Sequence, residues 1–426
     1  MRRRIAQECL GRKHRLHIAL GRKARLAEQN ALANKGSVND EERIYLLALQ
    51  PEANLRRLFG RYGISAACGY KWLRAYREKG FAGLEPKSRR PHAHPDQTRA
   101  PMEREILRLR DQHPAWGGRK LKRRLEDLGV EHVPAASTIT EILRRNGRLS
   151  ALHPSARGPW QGFERAAAND LWQMDFKGPI RTVGGQLCYP WSVLDDHSRF
   201  NLALEACQNQ QSRTVKERLW QVFERYGLPN GILCDNGSPW GSAQSACPYT
   251  EFGVWLLRLG VELIHGRAYH PQTQGKEERF HRSLQAEVLN QTTAWLDLAH
   301  CQERFDEYRN CYNTERPHEA LQLRVPACCY QPSLRAVPDK LPELQYLQED
   351  YPRLVRTKGE VKFKGHLFYV GQAFGGLYVA FRPTLSDGCF ELFFSWKKIG
   401  FLDLRRAPKD KQHRLCLTSR TPDISE

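Results

Sequence analysis

The spacing of apolar residues changes twice along this chain of 426 residues, and the order of the changes constrains the fold class. The first 150 residues follow a helical pattern. From 171 to 325, short apolar runs alternate with amphipathic helical segments, and from 360 to 404, runs rich in Val, Phe and Tyr are separated by turn residues. Alternating strands and helices are typical of a mixed α/β domain, and short strands between turns are typical of a small barrel. The sequence therefore predicts a multidomain protein with an all-α N-terminal part, an α/β centre and a small C-terminal β-barrel.

Positive charge is concentrated in the first third of the chain. Residues 1–150 contain 33 Lys and Arg against 16 Asp and Glu, which is +17 of the total net charge of +20. Such a charge is unusual for an enzyme that acts on small neutral molecules, and it predicts a polyanionic partner for this part of the chain. The nearly neutral remainder is expected to have a different task.

Cysteine usage and hydropathy indicate the compartment. The chain has 12 cysteines but no C-x-x-C motif, which favours free thiols in a reducing environment. No apolar run approaches the ~18–20 residues that span a bilayer, and the N-terminus lacks the apolar stretch of a signal peptide. We therefore expect a cytoplasmic protein.

The segment from residue 54 to 79 reads as a helix-turn-helix. An apolar helix is followed by a turn at Gly63 and by a second helix. On that second helix Lys71, Arg74 and Arg77 are three residues apart and lie on one side, away from the apolar face. These three residues are predicted to contact the phosphates of a DNA duplex.

A second helical module follows a linker rich in proline and charge, in which Arg89 and Arg90 are candidate DNA contacts. Its predicted helices are Glu103–Gln112, Gly117–Leu128 and Ser137–Asn146. Further candidate DNA contacts on these helices are Arg119, Lys120, Arg123 and Thr138. A basic helix is also typical of a solvated surface, so the interpretation as tandem DNA-binding modules depends on both modules together.

Three carboxylates stand where a metal site can form. Asp175 and Asp235 are at or just after the ends of predicted strands, and Glu278 is early in a predicted helix, Gly275–Leu289. A helix packed across the sheet would bring these groups together. Hard oxygen ligands without a cysteine or histidine cage suit Mg²⁺ or Mn²⁺, and a pair of such ions supports phosphoryl transfer. Each acid alone is equally typical of a turn or of a helix start.

The order of these acids and the residues around them resemble bacterial insertion-sequence transposases that have a retroviral-integrase-like Asp-Asp-Glu core of ribonuclease-H-like fold. The matching runs begin with Trp172–Gly178, Asp195–Phe200 and Asp235–Gly237, and continue through His270–Gly275, Glu278–Arg282 and Tyr312–Leu321. The helical modules match at Gly69–Leu73, Ser88–Pro91, Trp116-Gly117 and Ala136–Ile139. The resemblance covers about residues 40–405 of the sequence.

The resemblance implies that Asp175 bridges two metal ions while Asp235 and Glu278 each complete one site. Glu277 competes for the third position, but the family's acid directly precedes Arg-Phe, which selects Glu278. The resemblance also gives Gln272, Lys276 and Arg279 as residues that position the DNA end, with a buried capping network as the alternative. Asp195 and Asp196 are expected to be structural.

The sequence departs from the family pattern in two places. An interval of 42 residues separates Asp235 from Glu278, with the loop from Pro239 to Thr250 as the expected insertion. Position 285 is Gln where the family often has a basic residue that contacts DNA. Residues 1–37 match nothing in the family, and we expect this basic tail to be dispensable, with Val38 as a candidate natural start.

The combined interpretation is a transposase that binds the ends of an insertion sequence. It would cleave the phosphodiester bond with metal-activated water and join the 3′-hydroxyl to target DNA, as a homo-oligomer on DNA near the bacterial nucleoid. The alternative is an inactive DNA-binding regulator of the same fold. The predicted domains are a tail (1–37), two helix-turn-helix domains (38–92 and 93–150), a linker (151–170), the integrase core (171–325), a second linker (326–358), the barrel (359–405) and a tail (406–426).

Overall fold

The computed structural model describes residues 53–80, 97–149, 164–241, 248–266 and 275–406, with two short strands beyond them at 412–414 and 416–417. These residues belong to two units, Met1–Gln97 and Thr98–Glu426, each of which is described by itself. Several sequence predictions lie outside the described residues, namely the tail 1–37, the candidate DNA contacts Arg89, Arg90 and Gln272, and most of the predicted tail 406–426.

The described residues of the first unit form a helix pair, α1 (Leu55–Arg61) and α2 (Ala66–Lys79). Ser65 begins the second helix, because its hydroxyl accepts a hydrogen bond from the Cys68 backbone N–H at 3.3 Å. The helices approach closely at Gly69, where a Cβ atom would lie 2.5 Å from the ring of the buried Phe59. A larger residue at position 69 would therefore separate the two helices.

The second unit begins with a three-helix module. Its helices are α3 (Ala100–Gln112), α4 (Gly118–Asp127) and α5 (Ala136–Arg145). Ile106, Trp116, Leu121 and Ile139 are fully buried in its core. Gly118 lets the start of α4 pack against α5, since a Cβ there would lie 2.4 Å from the Ala136 carbonyl oxygen. Burial of about 25 cal/mol per Å² of apolar surface stabilises such a small core.

This module is docked on the central domain through polar contacts. Trp116 Nε1 donates a hydrogen bond to Glu287 Oε2 at 3.1 Å, and Arg124 forms an ion pair with Glu315. Glu287 is in turn paired with Arg316 at 3.2 Å, and the side chains of both are almost completely buried. A buried carboxylate needs such partners to offset its desolvation.

The central domain is built on a mixed sheet. Its strands are β1 (Trp172–Phe176), β2 (Ile180–Arg181), β3 (Leu187–Asp195), β4 (Asn201–Cys207), β5 (Gly231–Cys234) and β6 (Glu262–His265). Their order is β4-β3-β1-β5-β6, with β2 paired to the start of β3. The first three of this order are antiparallel, and β5 and β6 are parallel to β1. The predicted mixed α/β organisation of the central domain is confirmed.

Helices cover both faces of this sheet. They are α6 (Ser212–Tyr226), α7 (Glu251–Arg258), α8 (Gly275–Leu284), continued by a π-helical turn (Gln285–Leu289), and α9 (Leu298–Thr314). Trp172 and Met174 of β1 pack in the core shared with α6 and α7, so the alternate residues Gln173 and Asp175 face the side of α8. None of the helices in the described ranges has the length and apolar composition needed to span a lipid bilayer.

The C-terminal strands form two sheets around one core. They are β7 (Tyr351–Leu354), β8 (Glu360–Phe363), β9 (His366–Tyr369), β10 (Tyr378–Pro383), β11 (Cys389–Phe394), β12 (Lys397–Asp403), β13 (Gln412–Arg414) and β14 (Cys416–Leu417). The orders are β14-β12-β11-β10-β7 and β13-β9-β8. The predicted C-terminal strands are present, but a closed barrel is not shown among the described strands, because the β8–β9 hairpin pairs with β13 and not with the larger sheet.

Candidate active site

Asp175 and Asp235 emerge side by side from two neighbouring parallel strands. Gln173 of β1 pairs with Leu233 of β5, and each aspartate lies two residues beyond that pair. Burial, together with the negative charges of Asp235 and Glu278, raises the pKa of Asp175 to about 6. The three predicted acids are therefore close enough to act on one another electrostatically.

The loop after β5 fixes the carboxylate of Asp235. Its Oδ1 accepts hydrogen bonds from the backbone N–H of Gly237 at 3.1 Å and from Trp240 Nε1. Trp240 is buried and stacks on Phe176 with ring centroids 5.5 Å apart. Both aspartates are thus connected to the same aromatic pair, which gives a physical reason for a tryptophan in this loop.

Helix α8 presents two adjacent glutamates in different environments. Glu278 is exposed, whereas Glu277 is fully buried beneath the helix. The Glu277 carboxylate lies 2.9 Å from Ser192 Oγ, which is also 3.0 Å from His281 Nε2, and His281 Nδ1 lies 3.7 Å from Asp175 Oδ2. The sequence alone did not indicate Ser192 and His281, because their contacts join α8 to strand β3. Ser192 of β3 is 85 residues from Glu277 in the chain.

The protonation state of the buried Glu277 can be tested by measuring the stability of the protein as a function of pH. Burial raises its pKa well above the ordinary value of 4.5, and the charge of Asp175 adds to this effect. Since the unfolded chain releases this proton at lower pH, the native state loses stability as pH rises above 4.5, by about 1.4 kcal/mol per pH unit. We expect Glu277→Gln to remove this loss, so that its melting temperature in EDTA increasingly exceeds that of the wild type from pH 5 to pH 7.

The control for that series is Glu303→Gln on the exposed side of α9, which should change stability little at any pH. A difference between Glu277→Gln and wild type that stays constant across the series would show that Glu277 is ionised in the native protein.

The donor set is suited to a hard divalent cation, although its side chains are not preassembled. Asp175, Asp235 and Glu278 offer carboxylate oxygens at one edge of the sheet, which is the chemistry that Mg²⁺ and Mn²⁺ prefer. Within the described ranges, no three His, Cys, Asp or Glu side chains are gathered into a metal-binding cluster. The Oδ1 atom of Asp235 instead accepts hydrogen bonds from Trp240 and Gly237.

Asp195 and Asp196 lie in a capping network beside the site. Asp195 accepts hydrogen bonds from Ser198 and from the Asn169 backbone N–H, and both acids are fully buried. Lys276, a predicted DNA contact, donates to the backbone carbonyl of Asp196 at 3.1 Å and is ion-paired with its carboxylate at 2.5 Å. The structure therefore places Lys276 in the buried network that was its alternative reading, while Arg279 is exposed.

The predicted DNA contacts of the helical modules differ in how exposed their side chains are. Lys71, Arg74 and Arg77 of the first unit are exposed along α2, and Thr138 is exposed on α5. On α4, Arg119 is exposed near Glu319 at 4.0 Å and Arg123 pairs with Asp127 at 2.8 Å. Lys120 faces a cleft toward the central domain and is only partly accessible.

Models of known domains match most of the chain. The matches are a helix-turn-helix domain (43–92), a homeodomain-like domain (68–143), two integrase core domains (165–271 and 259–326) and the IS481 family transposase C-terminal domain (350–410). The integrase core models contain all three acids of the candidate site, at residues 175, 235 and 278.

Similar proteins include a viral polyprotein, an insertion-element protein and an integrase structure. The Gag-Pol polyprotein of baboon endogenous virus (strain M7) is 27% identical over 198 residues, which cover 45% of this chain and 11% of the polyprotein. The insertion element IS407 uncharacterized 31.7 kDa protein of Burkholderia multivorans is 25% identical over 163 residues, 38% of this chain and 55% of that protein. The HTLV-2 integrase catalytic core domain in complex with magnesium is 15% identical, with a TM-score of 0.30 over 40% of this chain and 100% of that one. The chain thus spans about a tenth of the viral relative and about half of the insertion-element relative.

Proposed function

Because the chain has helix-turn-helix, integrase core and IS481 family C-terminal domains, the domain set of an insertion-sequence transposase with an integrase-like core, we propose that it catalyses DNA transposition. It would bind the ends of an insertion sequence, cleave a phosphodiester bond with water and join the freed 3′-hydroxyl to target DNA. The observation that carries this proposal is the placement of Asp175, Asp235 and Glu278 at one edge of the central sheet.

Two ions of Mg²⁺ or Mn²⁺ would be held by Asp175, Asp235 and Glu278. When bound, the ions supply activation of the attacking oxygen and stabilisation of the leaving oxygen. The chain's own residues fix the geometry. Strands β1 and β5 set the separation of the two aspartates, and α8 supplies Glu278 from a position braced by the buried Glu277.

The order of three antiparallel strands followed by two parallel strands supports a ribonuclease-H-like assignment of the central domain. Pairing two element ends in one reaction requires at least two DNA sites, which a homo-oligomer on DNA would provide. The two helical modules supply cationic surfaces for duplex DNA, with α2 and α5 exposed for contact.

The direct test is incubation with labelled duplexes that carry the DNA flanking the gene, in Mg²⁺ or Mn²⁺. We expect nicks at the 3′ ends of the element, followed by products in which these ends are joined to a second DNA. Binding without nicks or joined products in either metal would favour the regulator instead.

The affinity of the first helical module for DNA can be tested through its dependence on salt concentration. Arg74→Ala and Lys71→Ala are each expected to reduce the slope of log affinity against log salt by about 0.9, because each phosphate contact releases condensed counterions. Arg56→Ala, an exposed arginine on α1, is the control and should leave the slope unchanged. Equal slopes for wild type and both α2 variants, measured by fluorescence anisotropy, would mean that α2 faces away from DNA.

A further inference from the structure

A cleft of about 1070 Å³ lies between the three-helix module and the central domain. One wall is the first turn of α4, and the other is α8 with Arg279 and Arg282. The segment after α9 adds Arg316 and His318. Seven Lys and Arg residues line the cleft against two acids, Glu164 and Glu319, so its lining has a strong positive charge.

Three of these cations, Lys120, Arg279 and Arg282, make no side-chain hydrogen bond or ion pair with the rest of the described chain. Lys120 is also partly buried. Burial and the charge of Arg316 outweigh the opposing charges of Glu287 and Glu319 and lower the pKa of Lys120 to about 8. A cation that is partly desolvated and lies near other cations is stabilised by a bound anion.

Two further features of the cleft favour an anionic ligand. Helix α4 begins at Gly117 without a side-chain cap, so its first N–H groups and the positive end of its dipole face the cleft wall. His318 is only 8% exposed, and its Nε2 has no hydrogen-bond partner among the described residues. Burial lowers the pKa of His318 well below its ordinary value, and its ring also hydrogen-bonds the Tyr312 backbone, so Nε2 is an acceptor. A bound water can donate to Nε2 and also to a phosphate oxygen, which would satisfy this buried atom.

We propose that this cleft binds the phosphate groups of a DNA strand that adjoins the cleaved end. The proposal rests on the proposed function, because it takes DNA as the source of phosphate. Helix α8 connects the two places, since it carries Glu278 toward Asp175 and Arg279 and Arg282 toward the cleft. Lys120 is recessed in the cleft, which favours a single strand that enters the cleft over a duplex that crosses its rim.

The test compares two labelled DNAs in EDTA, a blunt duplex and the same duplex with a short single-stranded extension. The wild-type chain is expected to bind the extended duplex several-fold more tightly. Lys120→Gln on one wall and Arg282→Gln on the other should each abolish this advantage, so that the extended and the blunt duplex bind with the same affinity. Lys122→Gln is the matched control, since Lys122 lies on the same helix, pairs with Glu126 and does not line the cleft. Thermal melting of each variant checks that it folds.

Two results would overturn the proposal. One is an extension advantage that persists in both cleft variants. The other is Lys120-dependent binding of inorganic tripolyphosphate without any effect of the DNA extension, which would assign the cleft to a free polyphosphate. Because EDTA removes the chemistry, a chain that joins no DNA ends but shows Lys120-dependent binding of the extension would contradict the proposed function and support the cleft.

Discussion

Replacing Asp175 or Asp235 with Asn, or Glu278 with Gln, is expected to lower nicking and joining by at least about 10³-fold each. Loss of one carboxylate removes several kcal/mol of transition-state stabilisation where metal ions carry the reaction, and each 1.4 kcal/mol is about tenfold in rate. DNA binding in EDTA should stay unchanged, because these three acids are not among the cations that are predicted to contact DNA phosphates, such as Lys71, Arg74 and Arg77 of α2. The measurement is product formation by labelled DNA ends on denaturing gels.

Glu277→Gln is the matched control for Glu278→Gln, since the two residues are adjacent on α8 and receive the same substitution. Glu277 faces Ser192 beneath the helix, and an amide can still hydrogen-bond that hydroxyl, so activity should be retained. An inactive Glu277→Gln together with an active Glu278→Gln would reverse the assignment of the third acid.

Arg316→Met is expected to destabilise the second unit by about 3–5 kcal/mol. The Arg316 and Glu287 side chains are only 7% and 4% exposed, so removing the arginine leaves a buried carboxylate without its counter-charge. Glu287 also accepts the Trp116 N–H, which means that its displacement weakens the docking of the three-helix module. Urea unfolding followed by tryptophan fluorescence measures the loss.

A second substitution separates the charge from the packing. Adding Glu287→Gln to Arg316→Met removes the unpaired charge but keeps an acceptor for Trp116, so most of the stability should return. The control is Arg304→Met, because Arg304 and Glu307 form an exposed pair on α9 that contributes at most about 1 kcal/mol. A loss in Arg316→Met no larger than in Arg304→Met would mean that water reaches Glu287.

Local patterns were sufficient to predict much of the architecture. Strands and helices alternate in the central domain as predicted, because apolar runs bounded by turns are local signals. The predicted helix Gly275–Leu289 is confirmed over most of its length, but after Leu284 it continues as a π-helical turn. That change is not encoded in apolar spacing, and it occurs where Glu287 turns inward to meet Trp116 and Arg316.

Long-range contacts explain what the sequence could not show. The positions of Asp175 and Asp235 follow from strand ends, but the difference between Glu277 and Glu278 depends on Ser192, a residue of another strand. Lys120 reads as one basic residue among several on α4, and only the docking of the module shows that it faces the cleft. For a related reason the C-terminal strands were predicted but their pairing was not, since turn residues indicate strands without specifying their partners.

The shared carboxylate of Glu287 limits how this protein can be recombined with its relatives. Its two partners, Trp116 and Arg316, are 200 residues apart in the chain and belong to the module and to the central domain. A hybrid joined in the linker near residue 150 would combine a tryptophan from one parent with an arginine from another. A junction ahead of Thr98 keeps the interface intact, so DNA specificity is more readily exchanged through the first unit than through the second module.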